Sequence, residues 1–169
     1  MSFLTSRLKN ATALLLTLCL ATVLSSCGWQ LRGQHQPPAA YKVLTLNSSL
    51  SDANQLQLSY RLNEGGWIVK DTPADSQALL NLDKLNIRQR TQTINSAGEV
   101  AEYELVGQLT GQLVSQHGDV TPISITTQVW YDNDVTRVAA TQLEKEARTR
   151  ELVDKLFNLL ILRLQSVDN

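Results

Sequence analysis

No cysteine follows residue 27. The two present, Cys19 and Cys27, lie close to the start, so no disulfide staples the rest of the chain. The fold must be held by apolar burial and backbone pairing. Histidine is as scarce, with only His35 and His117. No His/Cys/Asp cluster has metal-ligand spacing, and no serine stands in a Gly-x-Ser-x-Gly elbow. Gly65-Gly66 follows a helical segment, while Gly107 and Gly111 interrupt a strand, so neither pair makes a phosphate loop. Asp132-Asn133-Asp134 reads as a turn before it reads as a cation site. These absences argue against an enzyme and against a cofactor. Basic excess is missing too: 15 Lys and Arg stand against 16 Asp and Glu, which excludes a basic nucleic-acid-binding domain. No apolar run reaches the roughly 20 residues of a membrane-spanning helix. Ala11–Leu24 is too short and carries Thr12, Thr17 and Thr22. Leu152–Leu164 is broken by Asp154, Lys155, Asn158 and Arg163.

What the start does have is Arg7 and Lys9, then the apolar run, then Ser25, Ser26 and Cys27. That is the pattern of a secretory signal cut just before a cysteine. Leu24-Ser25-Ser26-Cys27 resembles the bacterial lipobox, which implies that Cys27 becomes the first mature residue. It would then carry acyl chains on its sulfur and amino group. The rival readings are a transmembrane anchor, for which the run is short, and a non-lipidated signal, whose small-x-small site is poorly matched here. Several acyl chains on one cysteine make a long-lived attachment. Gly28, where aspartate would favour inner-membrane retention in such lipoproteins, points to the outer membrane. The expected organisation is a cleaved signal over 1–26, a lipidated tether over 27–40 and one domain over 41–169. Arg7 and Lys9 are the only charges of the leader, so the remainder carries −3 against −1 for the whole chain.

Pro37-Pro38 bars helix and keeps the end of the tether extended. Tyr41–Leu46 reads as a buried first strand, and Asn47-Ser48-Ser49 as a turn or helix cap. Over Ser51–Glu64, Leu56, Leu58, Tyr60 and Leu62 alternate as in a strand but also form two i,i+4 pairs. Gly65-Gly66 suits a helix stop, and the helical choice makes Trp67–Lys70 the second strand of a crossover unit. Ala78, Leu80 and Leu82 then share one face, and Leu85 and Ile87 take over in opposite parity, which predicts a β-bulge at Asp83-Lys84. Asn95-Ser96-Ala97-Gly98 is a hairpin turn. Ala101 to Leu113 alternates for about 44 Å, long enough for the hairpin to project beyond the sheet. His117-Gly118-Asp119 turns the chain again, and Ile123, Ile125, Thr127, Val129 and Tyr131 continue the alternation. Ala139–Gln165 is the strongest helix, with an apolar stripe of Leu143, Ala147, Val153, Leu156, Phe157, Leu160 and Leu164. The predicted fold is an α/β two-layer sandwich. A mixed sheet, βαβ followed by a three-stranded antiparallel meander, carries two helices on one face.

Cys27-Gly28-Trp29-Gln30-Leu31-Arg32, joined to the lipobox, resembles the start of the lipopolysaccharide-assembly lipoprotein family LptE. Ala101-Glu102-Tyr103-Glu104-Leu105, Pro122-Ile123-Ser124, Trp130-Tyr131-Asp132-Asn133 and the closing helix occupy matching places. The resemblance implies a plug inside the outer-membrane β-barrel LptD that helps deliver lipopolysaccharide to the outer leaflet and binds lipopolysaccharide itself. The alternative is a lipid-anchored periplasmic binding module of another envelope complex. A plug in a polar lumen needs a polar exterior, and Gln108, Thr110, Gln112, Ser124, Thr126 and Gln128 suit such a wall, as they would a merely solvated sheet face.

Lipid A presents phosphates, which aligned Lys or Arg side chains would meet. Lys84, Arg88 and Arg90 share parity. With a bulge at Asp83-Lys84, Arg88 and Arg90 still project together opposite Leu85 and Ile87, about 7 Å apart. This strip is the candidate contact for lipid A phosphate or for acids of the barrel wall. Trp130, on the polar parity of its strand, is a candidate partner anchor, and Arg137 lies near the start of the last helix. Other family members carry basic residues at the first meander turn and before the last helix. Here Asn95–Gly98 and Val138-Ala139-Ala140 stand in those places.

Overall fold

The structure, a computed structural model, describes residues 36–167. Cys27, the leader and the Gly28–Arg32 motif lie outside the described residues. Six strands and two long helices follow in order: β1 (Val43–Ser48), α1 (Asp52–Glu64), β2 (Ile68–Lys70), β3 (Ala78–Leu82), β4 (Asn86–Ile94), β5 (Val100–Ser115), β6 (Val120–Asp132) and α2 (Val138–Gln165). β2 and β3 both pair with β1 in parallel, so β1-α1-β2 is a crossover unit. β3 and β4 lie end to end along one side of β5, and β6 runs along the other, all antiparallel to β5. The fold is the expected mixed sheet with two helices on one face.

The ambiguous segment is helical because its ends are capped. The Ser51 hydroxyl accepts from the Asn54 amide at 3.4 Å, and Gly66, at φ 92°, turns the chain out where a side chain would be strained. Leu58 and Leu62 are buried whereas Leu56 and Tyr60 face out, which chooses the helical pairs over the strand alternation. β1 runs further than expected, through Asn47 and Ser48. Asn47 Nδ2 donates to Asn81 Oδ1 at 3.0 Å across the open sheet face, a cross-strand bond that outweighs the turn tendency of Asn-Ser-Ser. Pro37 is buried, 3.1 Å from where a Cβ on Gly66 would stand.

The bulge lies where the parity slips. Leu82 pairs with Gly111 and Asn86 with Gln108, so Asp83, Lys84 and Leu85 oppose only Leu109 and Thr110. The extra residue is held by two bonds, Asp83 N–H to Thr110 O at 2.9 Å and Thr110 Oγ1–H to Asp83 Oδ2 at 2.7 Å. Beyond it the β4–β5 hairpin does project: residues 88–99 are all exposed.

Two glycines admit what covers them. At Gly107 a Cβ would stand 2.8 Å from Leu156 Cδ1 and 3.1 Å from Leu152 Cδ2, so α2 lies directly on that strand position. At Gly111 a Cβ would collide with the Asn81 carbonyl oxygen and come within 3.0 Å of Leu82 Cα, the backbone just before the bulge.

The core lies between the sheet and both helices, with Leu44, Leu58, Leu62, Leu80, Leu109, Leu156, Phe157 and Leu160 fully buried. The helices meet along one seam. Asp154 accepts from Gln57 Nε2 at 2.6 Å and from Arg61 at 2.7 Å, and Asn158 accepts from Arg61 at 2.7 Å. The expected stripe is corrected at its start: Leu143 is 68% exposed and Ala147 is exposed, while Leu152 is fully buried. Leu143 and Ala147 share the helical face of Asp154 and Asn158, the face turned toward α1. The 28 residues of α2 span about 42 Å and the 13 of α1 about 20 Å. The first turns of α2 therefore outrun the helix that would cover them.

Candidate functional surface

Among the described residues no helix packs on the sheet face away from α1 and α2, and Arg88, Arg90 and Trp130 fall there by register. Ile87, Leu105, Val129 and Tyr131 point into the helix-side core, so their alternate neighbours point outward. Arg88 pairs with Val106, and Val106 with Gln128. Arg90 pairs with Glu104, and Glu104 with Trp130. Arg88, Arg90 and Trp130 therefore share one end of the open face, with Arg90 and Trp130 two strands apart at roughly 10 Å. Trp130 is 47% exposed. Further along the same face run Gln108 beside Thr126, Thr110 beside Ser124 and Gln112 beside Pro122. These are the polar residues that the alternation placed on one face, with the Asp83 carboxylate bonded to Thr110 among them.

The other two basic candidates stand apart. Lys84 lies in the bulge, exposed, about 13 Å along the chain from Arg88. Arg137 sits in the loop before α2, its guanidinium 4.0 Å from Asp134. That loop is built on Asp134, whose carboxylate accepts from the Thr136 hydroxyl at 2.6 Å and amide at 2.9 Å. Those bonds hold its pKa below the usual carboxylate value. Asp134 is thus committed to the turn, and among the described residues no cluster of three His, Cys, Asp or Glu is placed to hold a metal.

Sequence reasoning missed Glu104 and Glu102. Glu104 stands between Arg90 and Trp130, and Glu102 accepts from Thr93 Oγ1 at 2.9 Å. The end of the face is a mixed-charge surface rather than a purely basic strip. Among the described residues Lys84, Arg88 and Arg90 make no ion pair, so their charges are available to a ligand. The signal for Glu104 was in the sequence, since counting register outward from the Asn95–Gly98 turn approaches it. The two register shifts between Thr91 and Ile94 cancel, so that count sets Arg90 against Glu104.

Two of the segments that carried the family resemblance, Ala101–Leu105 and Trp130–Asn133, lie side by side. Glu102, Tyr103, Glu104 and Leu105 pair in order with Asp132, Tyr131, Trp130 and Val129. The rings of Tyr103 and Tyr131 lie 5.4 Å apart on the helix side, where burial and the neighbouring phenol raise the Tyr131 pKa. Asn133 closes the end, donating from its amide to Ala101 O at 2.8 Å and from Nδ2 to Val100 O at 2.7 Å.

Comparison with known proteins bears on what this surface serves. A family model described as LptE, lipopolysaccharide-assembly, matches residues 39–164. The LPS-assembly lipoprotein LptE of Pectobacterium atrosepticum is 31% identical, over 91% of this chain and 92% of that protein. The protein of the same name from Yersinia enterocolitica is 31% identical over 89% and 74%. Among solved structures, rare lipoprotein B of Shewanella oneidensis superposes with a TM-score of 0.62 at 23% identity, covering 72% of this chain and 91% of that one. A minor lipoprotein of Acinetobacter baumannii gives 0.60 at 22% identity, covering 76% and 94%.

Proposed function

The chain belongs to the LptE family of non-enzymatic lipopolysaccharide-assembly lipoproteins, and from that premise we propose that it plugs and helps assemble the outer-membrane barrel LptD. In this reading it is held at the inner face of the outer membrane by acyl chains on Cys27 and helps pass lipopolysaccharide to the outer leaflet. The observation that carries the reading is the family match over 39–164. The open sheet face supports it physically. A barrel of roughly 20 strands or more has a wide polar lumen that must be filled. A filler must offer hydrogen-bonding side chains around its own dry core. Gln108, Thr110, Gln112, Ser124, Thr126 and Gln128 supply such a wall, with charge confined to its ends and to the Asp83 carboxylate bonded to Thr110. No helix among the described residues is long and apolar enough to cross a membrane, so an anchor at Cys27 is what this reading requires.

Depletion of the protein tests it. The expected result is misassembled barrel and lipopolysaccharide that fails to reach the cell surface; normal surface delivery would refute the reading. The ligand role of the basic strip is tested separately. Arg88→Ala/Arg90→Ala removes two charge-assisted phosphate contacts and is expected to weaken lipopolysaccharide binding at least about tenfold. The weakening should be greatest at low salt. Unchanged affinity assigns the strip to the barrel wall or to solvent.

A further inference from the structure

β4 and β6 are both edge strands, each paired only with β5, and their edges are built differently. β4 carries Arg88 and Arg90 and two register shifts between Thr91 and Ile94, devices that discourage strand addition. β6 has neither. Its pairing with β5 runs without a shift from Val120 to Asp132, and no charged residue occurs before Asp132.

The backbone groups at the free edge can be assigned. Asn133 N–H bonds inward to Ala101 O, and Asp119 O accepts from Ser115 N–H, so odd-numbered residues bond to β5 and even-numbered ones face outward. The outward set is Val120, Pro122, Ser124, Thr126, Gln128, Trp130 and Asp132. Pro122, lacking an N–H, falls on the outward side, the position an edge strand tolerates. On α2, Leu159, 39% exposed, lies on the flank away from the Asp154 and Asn158 face that meets α1.

We propose that β6 pairs antiparallel with β6 of a second copy about a twofold axis at Thr126, joining two sheets into one. The side chains of the strand favour its own copy as occupant. An axis at Thr126 is the register that overlaps the whole strand, and Thr126, an outward-bonding residue, makes a hydrogen-bonded pair with itself. On the open face it sets Thr126 against Thr126, Ser124 against Gln128, and Pro122 against the exposed ring of Trp130. On the helix side it sets Ile123 against Val129 and Thr121 against Tyr131. These are favourable cross-strand pairs. The only charge, Asp132, meets Val120, so no like charges are opposed. The same axis places the two α2 helices on one face of the joined sheet, with the Leu159 flank of each turned toward the other. A C2 interface of this kind is closed and self-limiting. It does not depend on the identity of the barrel partner, and a self-paired copy and a copy seated in a lumen are alternative states.

Single-cysteine crosslinking of the full chain in cell envelopes tests the register. Across a hydrogen-bonded antiparallel pair the Cα atoms lie about 5.5 Å apart, within reach of a disulfide or a short thiol linker. Thr126→Cys is expected to give a covalent homodimer in at least tenfold higher yield than Thr121→Cys, whose copies would stand about 34 Å apart. Ser124→Cys and Gln128→Cys expressed together should crosslink to each other. Any dimer must vanish without the added cysteine, since Cys27 is common to all variants. Equal yields at 126 and 121 would overturn the proposal, as would no dimer, or Thr126→Cys captured by a different protein in place of its own copy.

Discussion

Gly111→Ala is expected to destabilise the domain by about 3 kcal/mol, at the upper end of the usual cost of overpacking. The added methyl points to the helix side, where the Asn81 carbonyl oxygen already occupies its place and Leu82 Cα lies 3.0 Å away. Both obstacles are backbone, and that backbone is fixed. Leu82 pairs with Gly111 on one side and Ser48 on the other, and its carbonyl accepts from Ser49 N–H at 3.0 Å. β3 can yield only by releasing the bulge. Replacing a strand glycine would alone return up to about 1 kcal/mol of backbone entropy, which the collision exceeds. Gly107→Ala is the control. Its methyl meets Leu156 Cδ1 and Leu152 Cδ2, side-chain ends that can turn aside, and its expected cost is about 1 kcal/mol. Urea unfolding measures both. Against a total stability of roughly 5–15 kcal/mol, the Gly111 variant should melt well below the parent and the Gly107 variant only slightly below it. Equal losses would mean that the bulge does not dictate the glycine.

The same two positions show where sequence reading stops. In the alternation from Ala101 to Leu113 they register only as gaps in an apolar series. Nothing in one strand says that the missing side chain leaves room for a helix in one case and for a neighbouring backbone in the other. The bulge itself was legible, because an extra residue flips every later side chain to the opposite face and leaves Leu85 and Ile87 out of phase with Leu82. The two helices were legible from their apolar spacing and from the Gly65-Gly66 stop. Leu143 was misplaced because periodicity tells which side of a helix is apolar and says nothing of how far the neighbouring helix extends. Of the candidate surface, the shared facing of Arg88 and Arg90 follows from parity alone. The nearness of Trp130 needs the register of two hairpins, whereas the place of Glu104 opposite Arg90 follows from counting outward from the Asn95–Gly98 turn, because the two shifts between Thr91 and Ile94 cancel.

Cys27→Ser is expected to detach the protein from the membrane altogether, the largest effect anticipated for any single change. The proposed anchor is acyl chain, and burial of each methylene contributes about 0.8 kcal/mol. A single chain gives only marginal, reversible binding, whereas several on one residue hold for as long as the protein lasts. Serine offers no thiol for the first of those chains. Retention by a barrel partner would hide the loss in a simple membrane pellet, so the measurement is partition of the purified chain between a detergent-rich and an aqueous phase, together with the mass of its N-terminal peptide. The parent is expected in the detergent phase with acyl mass on Cys27, and the variant in the aqueous phase, or as uncleaved precursor, with none. The detergent-phase fraction of processed chain should fall at least about a hundredfold, since removing even four methylenes' worth of burial exceeds 2.8 kcal/mol. An unmodified thiol on Cys27 in the parent would break the link between the Leu24-Ser25-Ser26-Cys27 motif and the outer membrane. The domain would still fold as described, but the reading of it as a tethered barrel plug would lose its tether.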